Sequence, residues 1–126
     1  MTLLRTRHLT YVLAALSAAA LIRCDRTTTL ETAKRYHGIP FDRVISVAVA
    51  NAFKPHVTTY TKAAEIVGVR MDEVLFIANH AFDCIGAKSA GMRTAFIDRR
   101  GRPFGITPHQ PDLIVPSMTD LADALV

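Results

Sequence analysis

The apolar positions of this chain fall into two patterns that alternate along it. Val74-Leu75-Phe76-Ile77-Ala78 is an unbroken apolar run, which predicts a strand covered on both faces, as in a parallel sheet. Polar groups cluster where that strand would end, at Asn79, His80 and Asp83. A helix is predicted over Phe82–Ala90, closed by Gly91, which accepts a positive φ without a Cβ clash. Arg93–Ile97 reads as the next strand. Upstream, His56–Val67 is amphipathic: Val57, Tyr60, Ala63, Ala64 and Val67 share a face, while Lys62 and Glu65 can meet water. The β-branched run from Val44 predicts a strand over Val44–Ala48. Before it, Leu30, Ala33, Tyr36 and His37 share one face of a helix ended by Gly38-Ile39-Pro40, with Thr28 or Thr29 available as its cap. Downstream, Arg99–Pro111 carries two glycines and three prolines and reads as a surface loop. Leu113–Val115 is a short strand, and Ser117 and Asp120 are spaced to cap the last helix. Strands alternating with helices predict an α/β fold, a Rossmann-like parallel sheet with flanking helices. Such sheets present their chemistry at the carboxyl ends of the strands.

The amino-terminal segment supports two readings. Arg5 and Arg7 precede the alanine-rich Tyr11–Ile22, an arrangement shared with the charged and apolar parts of a secretory signal. Leu9, Val12, Leu13, Leu16 and Ala20 also keep helical spacing, and a core helix is the favoured reading. The segment is short for a membrane span. Leu21–Cys24 is a candidate short strand, followed by a polar loop over Asp25–Thr29. Residues 1–24 are thus expected to form an atypical helix and strand segment of one domain covering 1–126.

That length suits a single core, and a composition of 50% apolar and 21% charged residues is ordinary for a globular protein. The formal charge is +4, with arginines gathered at Arg5, Arg7, Arg23 and Arg26 and again at Arg93, Arg99, Arg100 and Arg102. They could favour anionic ligands, but no aromatic-interleaved basic stripe or nucleic-acid motif accompanies them. A solvated basic surface is the favoured reading, with neither nucleic acid nor membrane as partner. Cys24 and Cys84 are too few for a disulfide framework, which agrees with a reducing cytoplasm. Cys84 is expected to be a buried small hydrophobe. No dense His/Cys/Asp/Glu spacing predicts a metal site.

Several segments, in order and spacing, carry a resemblance. They are Phe53-Lys54-Pro55, Val74 to Asp83, Gly86-Ala87-Lys88, Gly91-Met92-Arg93-Thr94-Ala95, Pro103-Phe104-Gly105, Pro111 to Val115, and Leu121 to Leu125. From about Leu30 to Val126 the chain resembles the haloacid dehalogenase superfamily, in its 2-haloacid dehalogenase branch. The resemblance implies a hydrolase that displaces halide from a 2-haloalkanoic acid by aspartate attack, forming an ester that water hydrolyses. It implies that Lys54 stabilises charge beside the nucleophile, that Asp83 orients the lysine and the hydrolytic water, and that His80 stands with them in the catalytic group. Asn79, or His80, would hold a water or the substrate carboxylate. Thr27 or Thr28 would supply the hydroxyl of the family's second motif. Phosphatase relatives bind magnesium through aspartates, whereas the dehalogenase branch needs no cofactor.

Taken alone, each residue has a plainer reading. Lys54 reads as an exposed loop lysine before a helix, His80 as a partly buried histidine, and Asp83 as a carboxylate favoured in the first turn of a helix. The family's opening motif, Asp-x-Tyr/Phe-Gly-Thr-Leu, is not matched. Asp25-Arg26-Thr27-Thr28-Thr29-Leu30 shares the Asp, Thr and Leu but has Thr28 for the glycine. The expectation is therefore a truncated carboxyl-terminal core that lacks the nucleophile strand and the cap and is inactive alone. The alternatives are a non-catalytic binding or assembly module, or a degenerate fragment. A second copy or a complementing chain is the expected macromolecular partner.

Overall fold

The computed structural model describes residues 2–6, 9–13, 26–38 and 40–126. Strands β1 (Thr2–Thr6), β2 (Leu9–Leu13), β3 (Arg43–Val44), β4 (Val74–Ala78), β5 (Arg93–Ile97) and β6 (Leu113–Val115) form one sheet in the order β3-β1-β2-β4-β5-β6. From β2 to β6 neighbouring strands run parallel, while β1 is antiparallel to both β2 and β3. The helices are α1 (Arg26–His37), α2 (Val57–Val67), α3 (Ala81–Ser89) and α4 (Met118–Ala124).

All five residues of β4 are buried, and the absence of alternation in its sequence follows from covering on both faces. On one face Val74, Phe76 and Ala78 join Phe96 of β5 and pack against Tyr60 and Ala64 of α2 and Cys84 and Ala87 of α3. On the other, Leu75 and Ile77 join Ala95 and Ile97 and pack against Leu121 of α4. Each of the larger of these side chains, such as Val74, Leu75, Phe76, Ile77 and Leu121, contributes about 1.5–3 kcal/mol when removed from water. Residues 99–112 contain no helix or strand, as the glycines and prolines predict. Among the described residues no helix is long and apolar enough to cross a membrane.

Four expectations are corrected here. The strand expected over Val44–Ala48 is confined to Arg43–Val44, and Val47–Ala50 is a turn of 3₁₀ helix. Ser46 is the cause: its Oγ accepts a hydrogen bond from the Ala48 amide, and Asn51 closes the turn at φ 47°. The helix expected from Leu9 gives way to β2, because Thr10, Tyr11 and Val12 suit extended backbone and pair along β4 from Thr10↔Val74 to Leu13↔Ile77. The rest of that expected helix, 14–22, and the expected strand 21–24 lie outside the described residues, as do Cys24 and Asp25. Finally, Thr27, Thr28 and Thr29 belong to the first turn of α1 and not to a loop before it. The α1 residue Tyr36 is 87% exposed, so the shared face read from the sequence does not bury it.

Asp112 fastens β5 to the segment leading into β6. Its Oδ2 accepts from the Thr94 amide at 2.7 Å, its own amide donates to the Thr94 carbonyl at 2.9 Å, and its Oδ1 pairs with Lys88 of α3. Burial opposes ionisation of this carboxyl, but the hydrogen bonds from Lys88 and Thr94 and the lysine's charge outweigh it and hold the pKa below its ordinary value. Asp112→Asn is expected to cost about 1–2 kcal/mol at pH 7, because a hydrogen-bonded charge is lost. A depressed folded pKa stabilises above the unfolded value and ceases to do so as pH falls through the folded one. The gap between wild type and Asp112→Asn in urea melts should therefore narrow below about pH 4. A gap that stayed constant with pH would refute the ionic origin.

Candidate active site

Lys54 and Asp83 reach each other from opposite sides of β4 in the sequence. Lys54 lies in the turn after the 3₁₀ segment and precedes Pro55 through a cis peptide bond. His56 then caps α2, its Nδ1 accepting from the Thr58 amide at 3.3 Å. Asp83 stands in the first turn of α3, just beyond the carboxyl end of β4. The ammonium Nζ and the carboxylate Oδ1 are 2.6 Å apart, with the lysine side chain 21% exposed and the aspartate fully buried.

The contact has the length of an ion pair without the alignment of a hydrogen bond, and neither carboxylate oxygen has a hydrogen-bond partner among the described residues. Asp83 thus does not cap α3, although the position favours a negative charge through the helix dipole. Lys54 is the counter-charge on which the buried carboxylate depends. The pair combines a buried anion with a cation open to solvent on one side.

His80 is the N-cap residue of α3 and makes no side-chain capping bond. Its Nδ1 lies 2.8 Å from Asn79 Oδ1, and its ring meets Phe82 edge-on at 6.1 Å. Asn79 and His80 are both exposed. His80 reaches Asp83 through its backbone alone, its carbonyl accepting from the Asp83 amide at 3.2 Å. Lys54 and Asp83 are therefore joined directly, while Asn79 and His80 stand beside them as a separate polar couple. Thr27 and Thr28 are placed at the start of α1. Cys84 is wholly buried in the core, and burial, then the Asp83 charge, pushes its thiol up to about 12, far from a nucleophile's range. Among the described residues no three His, Cys, Asp or Glu side chains come together to hold a metal ion.

Two residues that sequence reading did not mark as part of the site shape it. Tyr60 is wholly buried, its hydroxyl donates to the Asp83 carbonyl at 3.4 Å, and its ring meets Phe76 edge-on at 5.6 Å. Burial, then the charges of Asp83 and Cys84, raises its pKa and keeps the hydroxyl protonated as a donor. A Cβ on Gly86 would lie 2.3 Å from the Tyr60 hydroxyl and 2.9 Å from Pro55 Cβ. Glycine at this position lets α2 and the Lys54-Pro55 step close onto α3. The available signal was a tyrosine on the inner face of an amphipathic helix, which needs a partner for its hydroxyl when buried.

The sequence model of the haloacid dehalogenase-like hydrolases matches residues 25–97. Haloacetate dehalogenase H-2 of Moraxella sp. (strain B) is 32% identical over 109 residues, covering 85% of this chain and 47% of that protein. The (S)-2-haloacid dehalogenase of Xanthobacter autotrophicus is 44% identical over 59 residues, which are 47% of this chain and 23% of the relative. The solved L-2-haloacid dehalogenase from Xanthobacter autotrophicus with chloropropionic acid covalently bound superimposes with a TM-score of 0.68. It is 30% identical and covers 78% of this chain and 50% of that one. The chain thus spans half or less of the length of each of these proteins.

Proposed function

Because the chain belongs to the haloacid dehalogenase-like hydrolase family, we propose that Lys54 and Asp83 are the supporting pair of a site for hydrolytic dehalogenation of 2-haloalkanoic acids. The chain by itself does not turn over. In the proposed reaction a carboxylate attacks C2 of the substrate, the carbon–halogen bond breaks, and halide leaves with the electron pair. Water then adds to the carbonyl of the resulting ester, releasing the 2-hydroxy acid and a proton and restoring the carboxylate. The observation that carries this reading is the 2.6 Å pairing of a half-open lysine with a buried aspartate. The lysine ammonium lies where it can stabilise an attacking or departing carboxylate, and Asp83 holds it there. Asn79 and His80 are the proposed holders of the water or the substrate carboxylate, and Thr27 or Thr28 the proposed hydroxyl donor. The acid covalently bound in the Xanthobacter structure supports an ester intermediate as the class of chemistry.

Among the described residues none is proposed as the nucleophile. Asp83 is fully buried and held by Lys54, so it has no in-line path to a substrate carbon. The strand beside β4 is β2, Leu9-Thr10-Tyr11-Val12-Leu13, which contains no carboxylate. We place the site in one core domain of residues 1–126 in a reducing cytoplasm, with a second copy or a complementing chain as the source of the nucleophile.

Purified protein should release halide from 2-chloropropionate only at background, and Asp25→Asn should change nothing. Release that disappeared in Asp25→Asn would make Asp25 the nucleophile and overturn the proposal. Release that survived Asp25→Asn and vanished in Asp83→Asn would do so in favour of Asp83. A folded chain that neither released halide nor bound 2-chloropropionate would shift the reading to a non-catalytic assembly module.

A further inference from the structure

Three guanidinium groups at the same edge of the sheet remain without a role. β4 and β5 are parallel, and Ala78 pairs with Phe96, so Asn79-His80 and Ile97-Asp98 leave the sheet side by side. The chain then runs through Arg99, Arg100 and Arg102, all exposed and none in an ion pair with a described residue. The described arginine Arg70, by contrast, is paired with Asp72.

The loop that carries them is pinned at both ends. Asp98 Oδ1 accepts from the Arg102 amide at 3.0 Å and from the Arg100 amide at 3.3 Å, so the carboxylate is engaged by the loop's own backbone. At the far end Phe104 meets Phe96 edge-on at 5.1 Å and packs against the core cluster that contains Tyr60, Ala78 and Cys84. That contact draws the loop toward the sheet face bearing α2 and α3, where the Lys54–Asp83 pair lies. The three arginines are thereby carried on a loop that leaves the sheet at the carboxyl edge, where Asn79 and His80 also leave it.

We propose that the Asp98–Phe104 loop is an anion-collecting element of this site, in which Arg99, Arg100 and Arg102 together draw the carboxylate of a small organic acid toward Lys54. The assignment rests on the proposed function for its ligand class, but the charge and its placement do not depend on it. Three like charges one strand away act through solvent, so their effect is long-ranged at low salt and disappears when the Debye length shrinks. They set how strongly a carboxylate is gathered, not how it reacts.

The test is titration of the full chain with 2-chloropropionate, followed by amide chemical shifts and repeated with neutral 2-chloropropionamide and with inorganic phosphate. In R99Q/R100Q/R102Q the affinity for 2-chloropropionate should fall roughly five-fold at about 10 mM ionic strength. The difference should vanish near about 0.5 M, and the amide should bind both proteins alike. Unchanged affinity in the triple variant, equal loss for the neutral amide, or no binding by the wild type would overturn the proposal. Phosphate binding to the loop more than tenfold tighter than the carboxylate would overturn the ligand class. K54M/D83N, which removes Lys54 without stranding the Asp83 carboxylate, separates the two readings once amide shifts show it folded. Loss in K54M/D83N with none in the triple variant leaves the site and removes the loop. The reverse leaves the loop and removes the site.

Discussion

Lys54→Met is expected to destabilise the protein by about 3–5 kcal/mol, because it strands the buried Asp83 carboxylate with no counter-charge and no hydrogen bond from any other described residue. The opposite deletion should be milder. Asp83→Asn leaves an ammonium that is already 21% exposed and can turn into water, so its cost should be about 1–2 kcal/mol. K54M/D83N should then regain much of what Lys54→Met loses, since the uncompensated charge is gone. Urea melts of the four proteins form a double-mutant cycle that measures the coupling directly. Equal effects below about 0.5 kcal/mol would mean that the pair behaves as an exposed salt bridge, and the half-buried geometry would be wrong.

The second large effect is expected at Gly86. Alanine there gains about 1 kcal/mol of helix propensity, yet its Cβ would stand 2.3 Å from the Tyr60 hydroxyl, 2.9 Å from Pro55 Cβ and 3.0 Å from Tyr60 Cζ. Neither neighbour can yield easily: Tyr60 is wholly buried against Phe76, and Pro55 is a ring in the turn that carries Lys54. Gly86→Ala should therefore lose about 2–3 kcal/mol net. Removing the nearest clashing atom with Tyr60→Phe should recover part of that loss, although the Pro55 contact remains. A Gly86→Ala protein as stable as wild type, with α2 undisplaced, would show that the helices are not so closely packed.

What the sequence disclosed depended on how local each determinant was. Val74–Ala78 was legible because burial on both faces writes itself as an uninterrupted apolar run. Helix α2 was legible to within a residue, since one face meets the core and Gly68 ends it with φ 77°. The run at Val44 misled because Ser46 chose a cap over a ladder, a choice that composition does not record. Leu9–Leu13 misled because five residues fit either period, and the partners that decide the matter are β1, just before it, and β4, more than sixty residues onward. In the site, no spacing rule joins Lys54 to Asp83, and their meeting was legible from the family resemblance and from the expectation that loops after successive strands gather at the carboxyl edge of the sheet. The turning of His80 toward Asn79 and Phe82, and the Gly86 gap that seats Tyr60, are products of tertiary packing.

The pairing of Lys54 with Asp83 spans α2 and β4, and this separation has a kinetic meaning. The two residues can meet only after a long loop has been closed, and closure costs chain entropy before any contact offsets it. The local helices and the β4–β5 ladder can form without that contact, whereas the contact requires α2 and α3 to be seated on the same face of β4. The ion pair therefore reports that both helices are docked, which neither the helices nor the ladder report alone. A chain that keeps its secondary structure but loosens α2 loses the Lys54–Asp83 contact, so the ion pair monitors native docking and not mere compaction.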